Sequence, residues 1–271
     1  MSPFPTLTTT GLSTIWAARL ALATTLVTAL AVALPATALA QNAAPLLQPF
    51  SKASSEALPA PWRLVGLPKG KAPLAAFDVS ALGEERVLKL ATDNSYGTAL
   101  HELAPRVLGA GSSLRWRWRL EQGLPQADLR RKDADDAPLK VCAMFDLPLD
   151  KLGFWERNLL RLARSLSGEK LPAATLCYVW DHKLPAGTEI PNAYTPRLRY
   201  LVLDSGEKQL GKWVSHERDL AADLQRAFGH EFDAPPPLIA IVVGADSDNA
   251  QGKSLAYLGD VVLAAKPAAG P

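Results

Sequence analysis

The chain of 271 residues carries 29 lysine and arginine side chains against 27 aspartate and glutamate side chains, so its formal net charge is only +2. A protein that binds nucleic acid normally has a marked basic excess, so this balance argues against nucleic acid as a partner. The length suits one large β domain or two small ones. Because the sequence has no internal repeat and no convincing linker, we expect a single domain over residues 62–266.

Residues 1–40 have the pattern of a secretory signal peptide. An apolar run occupies residues 20–34, and Pro35 interrupts it before it reaches the roughly 20 residues that a membrane span needs. Residues 38–40 supply the small-x-small pattern that signal peptidase accepts, which predicts cleavage before Gln41. We therefore expect a periplasmic or secreted protein with no membrane span after cleavage.

The two ends of the expected domain lack a sustained hydrophobic period. Residues 41–61 are rich in alanine, serine and proline, and they predict a flexible leader. Residues 267–271 predict a loose tail for the same reason.

Between these ends, short strand patterns recur at regular intervals. The clearest alternates apolar residues with arginines, namely Leu114, Trp116, Trp118 and Leu120 against Arg115, Arg117 and Arg119. Further strand patterns occupy residues 62–65, 74–79, 86–91, 97–103, 139–147, 175–180, 198–203, 211–215, 238–244 and 256–263. About ten short strands with few helices predict an all-β fold, a jelly-roll-like antiparallel β-sandwich with one or two short packed helices.

The arginines of the alternating strand have two interpretations. They could line a concave face that receives an anionic ligand through bidentate contacts. They could instead form a solvated outer face with acidic partners on neighbouring strands, which is the interpretation we favour.

Two segments have a helical period. Residues 154–167 form a basic amphipathic pattern that could rest on a membrane surface, although a helix laid across the sheet with solvated arginines is the commoner arrangement. Residues 219–228 predict a packed helix that Gly229 ends.

Cys142 and Cys177 are the only cysteines, and both lie in apolar strand patterns. In an oxidising compartment they could form a disulfide, or they could be two unpaired core thiols. The sequence leaves both alternatives open because it does not supply the Cβ geometry on which pairing depends.

Two acidic loops are candidate sites. Asp246, Asp248 and Asn249 follow a strand and could hold calcium, although Asx-rich turns are common for backbone reasons alone. Asp135 and Asp136 could do acid and base work on a sugar, although local pairing with Arg130, Arg131 and Lys132 is the simpler role.

A third group has the side chains of a sugar-binding surface, and its members are Trp180, Asp181, Asn192 and Tyr194. An aromatic ring stacks on a pyranose while amides and carboxylates bond its hydroxyls. Tryptophan and tyrosine are also ordinary core residues of β-sandwiches, and for Trp180 alone a core position is favoured. The sequence contains no G-x-S-x-G, no H-E-x-x-H and no cysteine with a matching histidine motif.

Several motifs together resemble a bacterial family of exported proteins of unknown function, number three-zero-four-seven in its series. They are WRWRL, DLRRKDADDAPLKVCAMF, LCYVWDHKLPAGT, GKWVSHERDLAADLQRAFG and VVGADSDNAQGKSLAYLGDVVL. The resemblance covers residues 77–263 and implies export, with no established activity and no catalytic residues to transfer. The ending YLGDVVL also resembles the last strand of galactose-binding-like jelly rolls.

The preferred hypothesis from the sequence is an exported, non-catalytic module that binds a carbohydrate or another small-molecule ligand. The first alternative is a polysaccharide hydrolase or lyase that uses the loop aspartates, and the second is a structural or partner-binding protein of the cell envelope. Fold class alone does not choose among them.

Overall fold

The structure is a computed structural model that describes residues 44–148, 153, 157–158 and 172–268. The predicted signal peptide lies outside the described residues. So does the predicted helix at residues 154–167, apart from Arg157 and Asn158, which are helical. Within the described residues, no helix is long and apolar enough to cross a membrane.

Thirteen strands of the described residues form two sheets. They are β1 (Arg63–Val65), β2 (Ala76–Leu82), β3 (Glu85–Asp93), β4 (Tyr96–Arg106), β5 (Ser113–Gln122), β6 (Leu139–Phe145), β7 (Ala174–Asp181), β8 (Glu189–Pro191), β9 (Leu198–Ser205), β10 (Val214–Asp219), β11 (Leu238–Asp246), β12 (Lys253–Leu258) and β13 (Val262–Ala264). A seven-stranded sheet has the order β1-β4-β11-β6-β7-β9-β8, and a six-stranded sheet has the order β10-β5-β12-β3-β2 with β13 also beside β5.

The predicted all-β sandwich is confirmed, with one departure from antiparallel pairing. The ladder between β7 and β9 is parallel, whereas the other ladders of the described strands are antiparallel. Parallel neighbours need a crossover connection. Residues 182–197 supply it and add the unpredicted edge strand β8, which pairs with β9.

The alternating strand is β5, and its faces are as predicted. Trp116 and Trp118 point into the core, where their rings lie 5.1 Å from Tyr178 and 6.2 Å from Trp180 of the opposite sheet, centroid to centroid. On the other face, Arg117 pairs with Glu85 and stacks over Trp213, and Arg119 pairs with Glu121. The structure therefore agrees with a solvated arginine face that has acidic partners.

The predicted flexible leader is wrong from residue 47 onwards. Leu47 and Phe50 are fully buried, and the Phe50 ring lies 5.0 Å from the ring of Trp62. The Trp62 indole N–H donates to the Gln48 carbonyl, and Asp260 accepts hydrogen bonds from the amide and hydroxyl of Ser51. The large apolar side chains of Leu47 and Phe50 anchor the segment to the sandwich. The sequence prediction missed them because the segment is otherwise rich in alanine and proline.

Two further elements differ in their bounds from the sequence prediction. The segment predicted at residues 211–215 is β10, which begins later because Gly211 adopts a positive φ of 72° in a turn. The segment predicted at residues 256–263 is split into β12 and β13. The predicted helix is α1 (Leu220–Phe228), capped by the Asp219 side chain, which accepts from the Ala222 amide at 3.0 Å.

Cys142 and Cys177 form a disulfide, which answers the question that the sequence left open. They occupy opposite positions of β6 and β7, with a Cα–Cα distance of 4.0 Å. The disulfide lies in a second hydrophobic cluster, on the face of the seven-stranded sheet that points away from the six-stranded sheet. We call this face the outer face of the seven-stranded sheet.

Candidate functional site

Strand register places three polar side chains and one glycine on the outer face of the seven-stranded sheet. Lys140 of β6 lies opposite Gly244 of β11, and Asp246 of β11 lies opposite Tyr96 of β4. Each is an even number of residues from a member of the outer hydrophobic cluster, such as Cys142 or Val242, and therefore shares its face. The beginning of β6 and the end of β11 thus place the Lys140 and Asp246 side chains at one end of the sheet.

Loops bring additional carboxylates to the same place. Residues 123–138 fold over the outer face, where Leu129 and Ala137 join the hydrophobic cluster. The Ala137 amide donates to Asp246 Oδ1 at 2.8 Å, which ties this loop to the end of β11. The amides of Asn249 and Ala250, in the loop after β11, donate to the Asp136 carboxylate, so the two acidic loops of the sequence meet. We call Asp135, Asp136, Asp246 and Asp248 the aspartate cluster.

A buried ion pair lies at the base of the aspartate cluster. The Lys140 ammonium donates to Asp246 Oδ2 at 2.6 Å, and the two side chains are only 8% and 7% exposed. Burial opposes the charge on Lys140, yet the Asp246 carboxylate raises the pKa of Lys140 above its ordinary value. Gly244 makes room for the lysine, since a Cβ there would lie 2.8 Å from Lys140 Cε.

Asp136 organises the loop that follows β11. Its carboxylate accepts from the Asn249 amide at 3.1 and 3.2 Å, from Asn249 Nδ2 at 3.2 Å and from the Ala250 amide at 2.6 Å. Asp136 is 1% exposed. Its role is therefore to bond the backbone of the neighbouring loop, much as an Asx turn does within one loop.

The predicted metal residues only partly fit calcium. One carboxylate oxygen from each of Asp136, Asp246 and Asp248 lies within 4.8 Å of the others. However, Asp136 is engaged by amides and Asp246 by the Lys140 ammonium, which already supplies a positive charge. Asp248 Oδ1 is buried without a hydrogen-bond partner in the described structure, whereas calcium takes six to eight oxygen ligands. Asn249 directs its amide nitrogen to Asp136 and its oxygen to Tyr194.

Asp135 has a different environment from Asp136. Its carboxylate accepts hydrogen bonds from Asn192 Nδ2 and from the Tyr200 hydroxyl, the latter at 3.2 Å. Burial raises the pKa of Asp135 to about 6, and the nearby Lys140 charge partly opposes this rise. The group therefore changes its charge near neutral pH, in the range where a carboxyl acts as a general acid or base.

Tyr194 is the exposed aromatic residue of the site. The residue is 56% exposed, and its hydroxyl donates to the Lys132 carbonyl and lies 3.1 Å from Asn249 Oδ1. The Lys132 ammonium lies 5.7 Å from the ring centroid. Asn192 bonds the Tyr194 amide through its Oδ1 and Asp135 through its Nδ2, so it connects the exposed ring to the buried carboxylates.

The structure does not place Trp180 in this site. Trp180 is 1% exposed in the core between the sheets, and its indole N–H donates to the Gly206 carbonyl at 3.0 Å. Asp181 lies on the outer face but is 2% exposed, and it accepts from the amides of Lys183 and Leu184. Both side chains therefore have structural roles, and the predicted grouping with Asn192 and Tyr194 is wrong for these two.

The predicted local pairing of the acidic loop holds for only part of it. Asp133 pairs with Arg131, and Asp128 pairs with Arg130, which lowers the pKa of Asp128 to about 2. Asp135 and Asp136 instead turn inward, to partners from the loops after β8 and β11. Sequence neighbours do not reveal such partners, because these lie more than 50 residues away along the chain.

Sequence reasoning missed Lys140 and Tyr200. Lys140 had a detectable signal, since it is a lone charge within the apolar strand pattern LKVCAMF, and a buried ammonium requires a counter-ion. Tyr200 had none, because a tyrosine in a strand is ordinary. Its hydroxyl stays protonated and can donate, since burial raises the pKa of Tyr200 above its ordinary value.

Comparisons with solved structures give distant similarities. The glycoside hydrolase domain of Endo-D from Streptococcus pneumoniae R6 is 13% identical, with 75% of this chain and 21% of that chain covered at a TM-score of 0.32. Endoglucanase 3 of family GH12 from Trichoderma harzianum is 8% identical, with 78% and 100% covered at a TM-score of 0.40. TmCBM61 in complex with β-1,4-galactotriose is 10% identical, with 76% and 90% covered at a TM-score of 0.31.

These similarities are too distant to carry an argument about activity, and this chain spans only about a fifth of the Endo-D chain. Curated proteins give no match. Residues 60–262 match the family described as protein of unknown function, DUF3047, in agreement with the motifs of the sequence. Because this match covers most of the chain, the protein belongs to the DUF3047 family.

Proposed function

We propose that this protein is exported and binds carbohydrate without covalent chemistry, through the surface around Tyr194. The observation that carries the proposal is the exposed Tyr194 ring, whose hydroxyl donates to the Lys132 carbonyl and lies 3.1 Å from Asn249 Oδ1, and whose backbone amide donates to Asn192 Oδ1. An exposed aromatic ring held by hydrogen bonds provides a surface on which a sugar ring can stack with little loss of side-chain entropy.

Export is supported by two features of the chain. The first is the signal-peptide pattern of residues 1–40. The second is the disulfide between Cys142 and Cys177, since structural disulfides persist mainly in oxidising compartments. Recovery of the protein from the periplasm of a bacterial host, with a mass that lacks residues 1–40, is the expected result.

The aspartate cluster supports binding better than hydrolysis. Asp135, Asp136 and Asp246 are 5%, 1% and 5% exposed, and each accepts hydrogen bonds from the protein. Glycosidase carboxylates must face each other across the scissile bond. These groups are instead occupied in joining two loops, and they hold the Tyr194 surface in place.

Hydrolysis is the second candidate, and one observation favours it. The four aspartates that the sequence nominated do converge, and the pKa of Asp135 is raised to about 6. If the protein is a hydrolase, it will release reducing ends from a polysaccharide, and Asp135→Asn will abolish that activity.

A glycan array tests the proposed function directly. The wild-type protein is expected to bind at least one glycan class, and Tyr194→Ala is expected to weaken that binding by about tenfold. The matched control is Tyr257→Ala, which removes a half-buried tyrosine of β12 in the six-stranded sheet. Absence of binding to every glycan would overturn the proposal, and equal effects of the two substitutions would show that Tyr194 is not the contact.

A further inference from the structure

Residues 47–53, which we call the anchored segment, have hydrogen bonds to both sheets of the sandwich. The Gln48 amide donates to His101 of β4, which belongs to the seven-stranded sheet. The amide and hydroxyl of Ser51 donate to Asp260, which follows β12 of the six-stranded sheet. The apolar side chains of the segment belong to the main hydrophobic core, and they are Leu47, Phe50 and Ala53. The anchored segment therefore closes the core at this edge of the sandwich.

The two ring nitrogens of His101 have opposite hydrogen-bonding roles. The Gln48 amide nitrogen lies 3.2 Å from Nε2, and the Glu102 carbonyl oxygen lies 3.0 Å from Nδ1. A backbone amide can only donate and a carbonyl can only accept, so Nε2 must be unprotonated and Nδ1 must carry the hydrogen. The docked segment therefore requires a neutral His101 in the Nδ1–H tautomer.

A second proton on the His101 ring is incompatible with this arrangement. It would bind at Nε2 and turn that atom into a donor, which would then face the donating Gln48 amide. His101 is 5% exposed, and its ring packs edge-on against Trp62 at 4.9 Å, centroid to centroid, so water has little access to replace the lost acceptor. Burial accordingly lowers the pKa of His101, although its hydrogen bond to the Glu102 carbonyl partly opposes this effect.

The surroundings of His101 offer its imidazolium form no counter-ion. Among the described residues, none forms an ion pair with His101, and β11 places the apolar Ile241 opposite it. The elements around the ring carry four charged side chains, three exposed and one half-buried, and they are Lys52, Arg63, Glu102 and Asp260. Arg63 and Glu102 pair with each other at 3.0 Å on the surface, and Asp260 accepts from the anchored segment.

We propose that His101 makes the anchored segment a pH-sensitive switch, in which protonation of Nε2 below neutral pH releases residues 47–53 from the sandwich while the two sheets stay folded. Release uncovers the Trp62 indole, whose N–H then loses the Gln48 carbonyl as its acceptor. This switch involves neither the aspartate cluster nor the Tyr194 surface, so it stands or falls independently of the proposed function.

The direction of the pH dependence follows from the lowered pKa of His101. The ring binds a proton more tightly when the segment is released than when it is docked, so docking is strongest above pH 6.5, the ordinary pKa of histidine, and weakens as the pH falls below it. Below pH 6.5, the ratio of released to docked segment rises by up to about tenfold for each pH unit, until the docked state is protonated as well.

Hydrogen–deuterium exchange followed by mass spectrometry can test the switch on the whole chain. Labelling times at pH 5.0 and pH 7.5 are scaled to the intrinsic exchange rates, so that any remaining difference reports opening of the structure. At pH 5.0 we expect the peptide that covers residues 47–53 to lose about tenfold in protection, and peptides from β5 and β11 to keep theirs. Unchanged protection of residues 47–53, or equal losses in β5 and β11, would overturn the proposal.

Two histidine variants separate His101 from the other groups that titrate. His101→Phe keeps an aromatic ring against Trp62 but removes the acceptor of the Gln48 amide, so we expect weak protection of residues 47–53 at both pH values. His230→Gln removes an exposed histidine and is expected to leave the wild-type pH dependence unchanged. A pH dependence that His101→Phe retains would contradict the role of His101.

The imidazole nitrogen-15 chemical shifts of the wild-type protein provide a measurement that does not depend on the folding of a variant. At pH 7.5 we expect His101, assigned by triple-resonance experiments, to show the Nδ1–H tautomer. As the pH falls, protonation of His101 is expected to accompany the loss of protection of residues 47–53. An Nε2–H tautomer at pH 7.5, or protonation of His101 with residues 47–53 still protected, would refute the switch.

Discussion

The two sheets both carry charged residues on the faces that point away from the core, but they use them differently. On the six-stranded sheet, the ion pairs of β5 are open to water, with side-chain exposures of 38% and 54% for Arg117 and Glu85. On the seven-stranded sheet, the Lys140–Asp246 pair is covered by the loop before β6 and is less than a tenth exposed. The difference lies in the covering loop, since both sheets supply lysine, arginine and carboxylate positions.

Burial beneath a loop changes what an ion pair contributes to the free energy of unfolding. An exposed ion pair is weakened by solvent and salt, and it contributes about 0–1 kcal/mol to the free energy of unfolding. A buried pair gains little overall, because desolvation offsets the attraction, but loss of one partner leaves the other charge without compensation. The outer face of the seven-stranded sheet should therefore respond strongly to single substitutions, and the arginine face should respond weakly.

The largest expected effect is that of Lys140→Met, which leaves Asp246 buried without its counter-ion. We expect the free energy of unfolding, measured by urea denaturation, to fall by about 3–5 kcal/mol. Arg119→Met, which breaks the partly exposed pair with Glu121, is expected to cost less than about 1 kcal/mol.

A double variant separates charge from packing. Asp246→Asn added to Lys140→Met removes the uncompensated charge while its amide oxygen can still accept from the Ala137 amide. Recovery of more than half of the loss is expected. A double variant no more stable than Lys140→Met would contradict the uncompensated charge as the cause.

A second, smaller effect is expected from the ionisation of Asp135. Its pKa in the folded protein, about 6, lies above the ordinary value of 3.8, so the folded state binds this proton more tightly than the unfolded state. Its contribution to stability is fully present below about pH 4 and is lost as the pH rises through 6, and two pKa units correspond to about 3 kcal/mol. The difference in unfolding free energy between wild type and Asp135→Asn, followed from pH 4 to pH 7, should show this loss.

The Asp135→Asn variant is a fair probe because its amide can accept from Asn192 and donate to the Tyr200 hydroxyl. Asp133→Asn is the control, since Asp133 lies in the same loop but is exposed and paired with Arg131. If the unfolding free energies of the two variants changed with pH in parallel, that result would contradict the raised pKa of the buried Asp135 carboxyl.

The smallest expected effect is that of calcium on the wild-type protein. Because the Lys140 ammonium already neutralises Asp246, we expect millimolar calcium or a chelator to leave the midpoint of thermal unfolding unchanged. In Lys140→Met, calcium should raise the midpoint, because the carboxylates of Asp136, Asp246 and Asp248 then lack a cation. A clear stabilisation of the wild type by calcium would contradict this expectation, because the aspartate cluster would then bind the metal while Lys140 still pairs with Asp246.

The sequence indicated the site better than it indicated the partners within the site. Asp135, Asp136, Asp246, Asp248, Asn192 and Tyr194 were all nominated from their residue types in loops, and the structure gathers them at one end of the seven-stranded sheet. Trp180 was nominated on the same grounds but lies in the core, because a tryptophan that ends a strand can point to either face. Strand parity could have resolved this, since Trp180 is an even number of residues from the core residue Tyr178.

The sequence by itself determined the sandwich, the two faces of β5 and the packed helix α1, because hydrophobic periodicity is a local property that each segment shows on its own. Only the tertiary structure decided the disulfide, the anchored segment after residue 46, the parallel β7–β9 ladder and the Lys140–Asp246 pair. Each of these depends on which distant segments become neighbours. Among the described residues, charged side chains are open to solvent on one sheet and buried on the other because a loop covers the Lys140–Asp246 pair of the second.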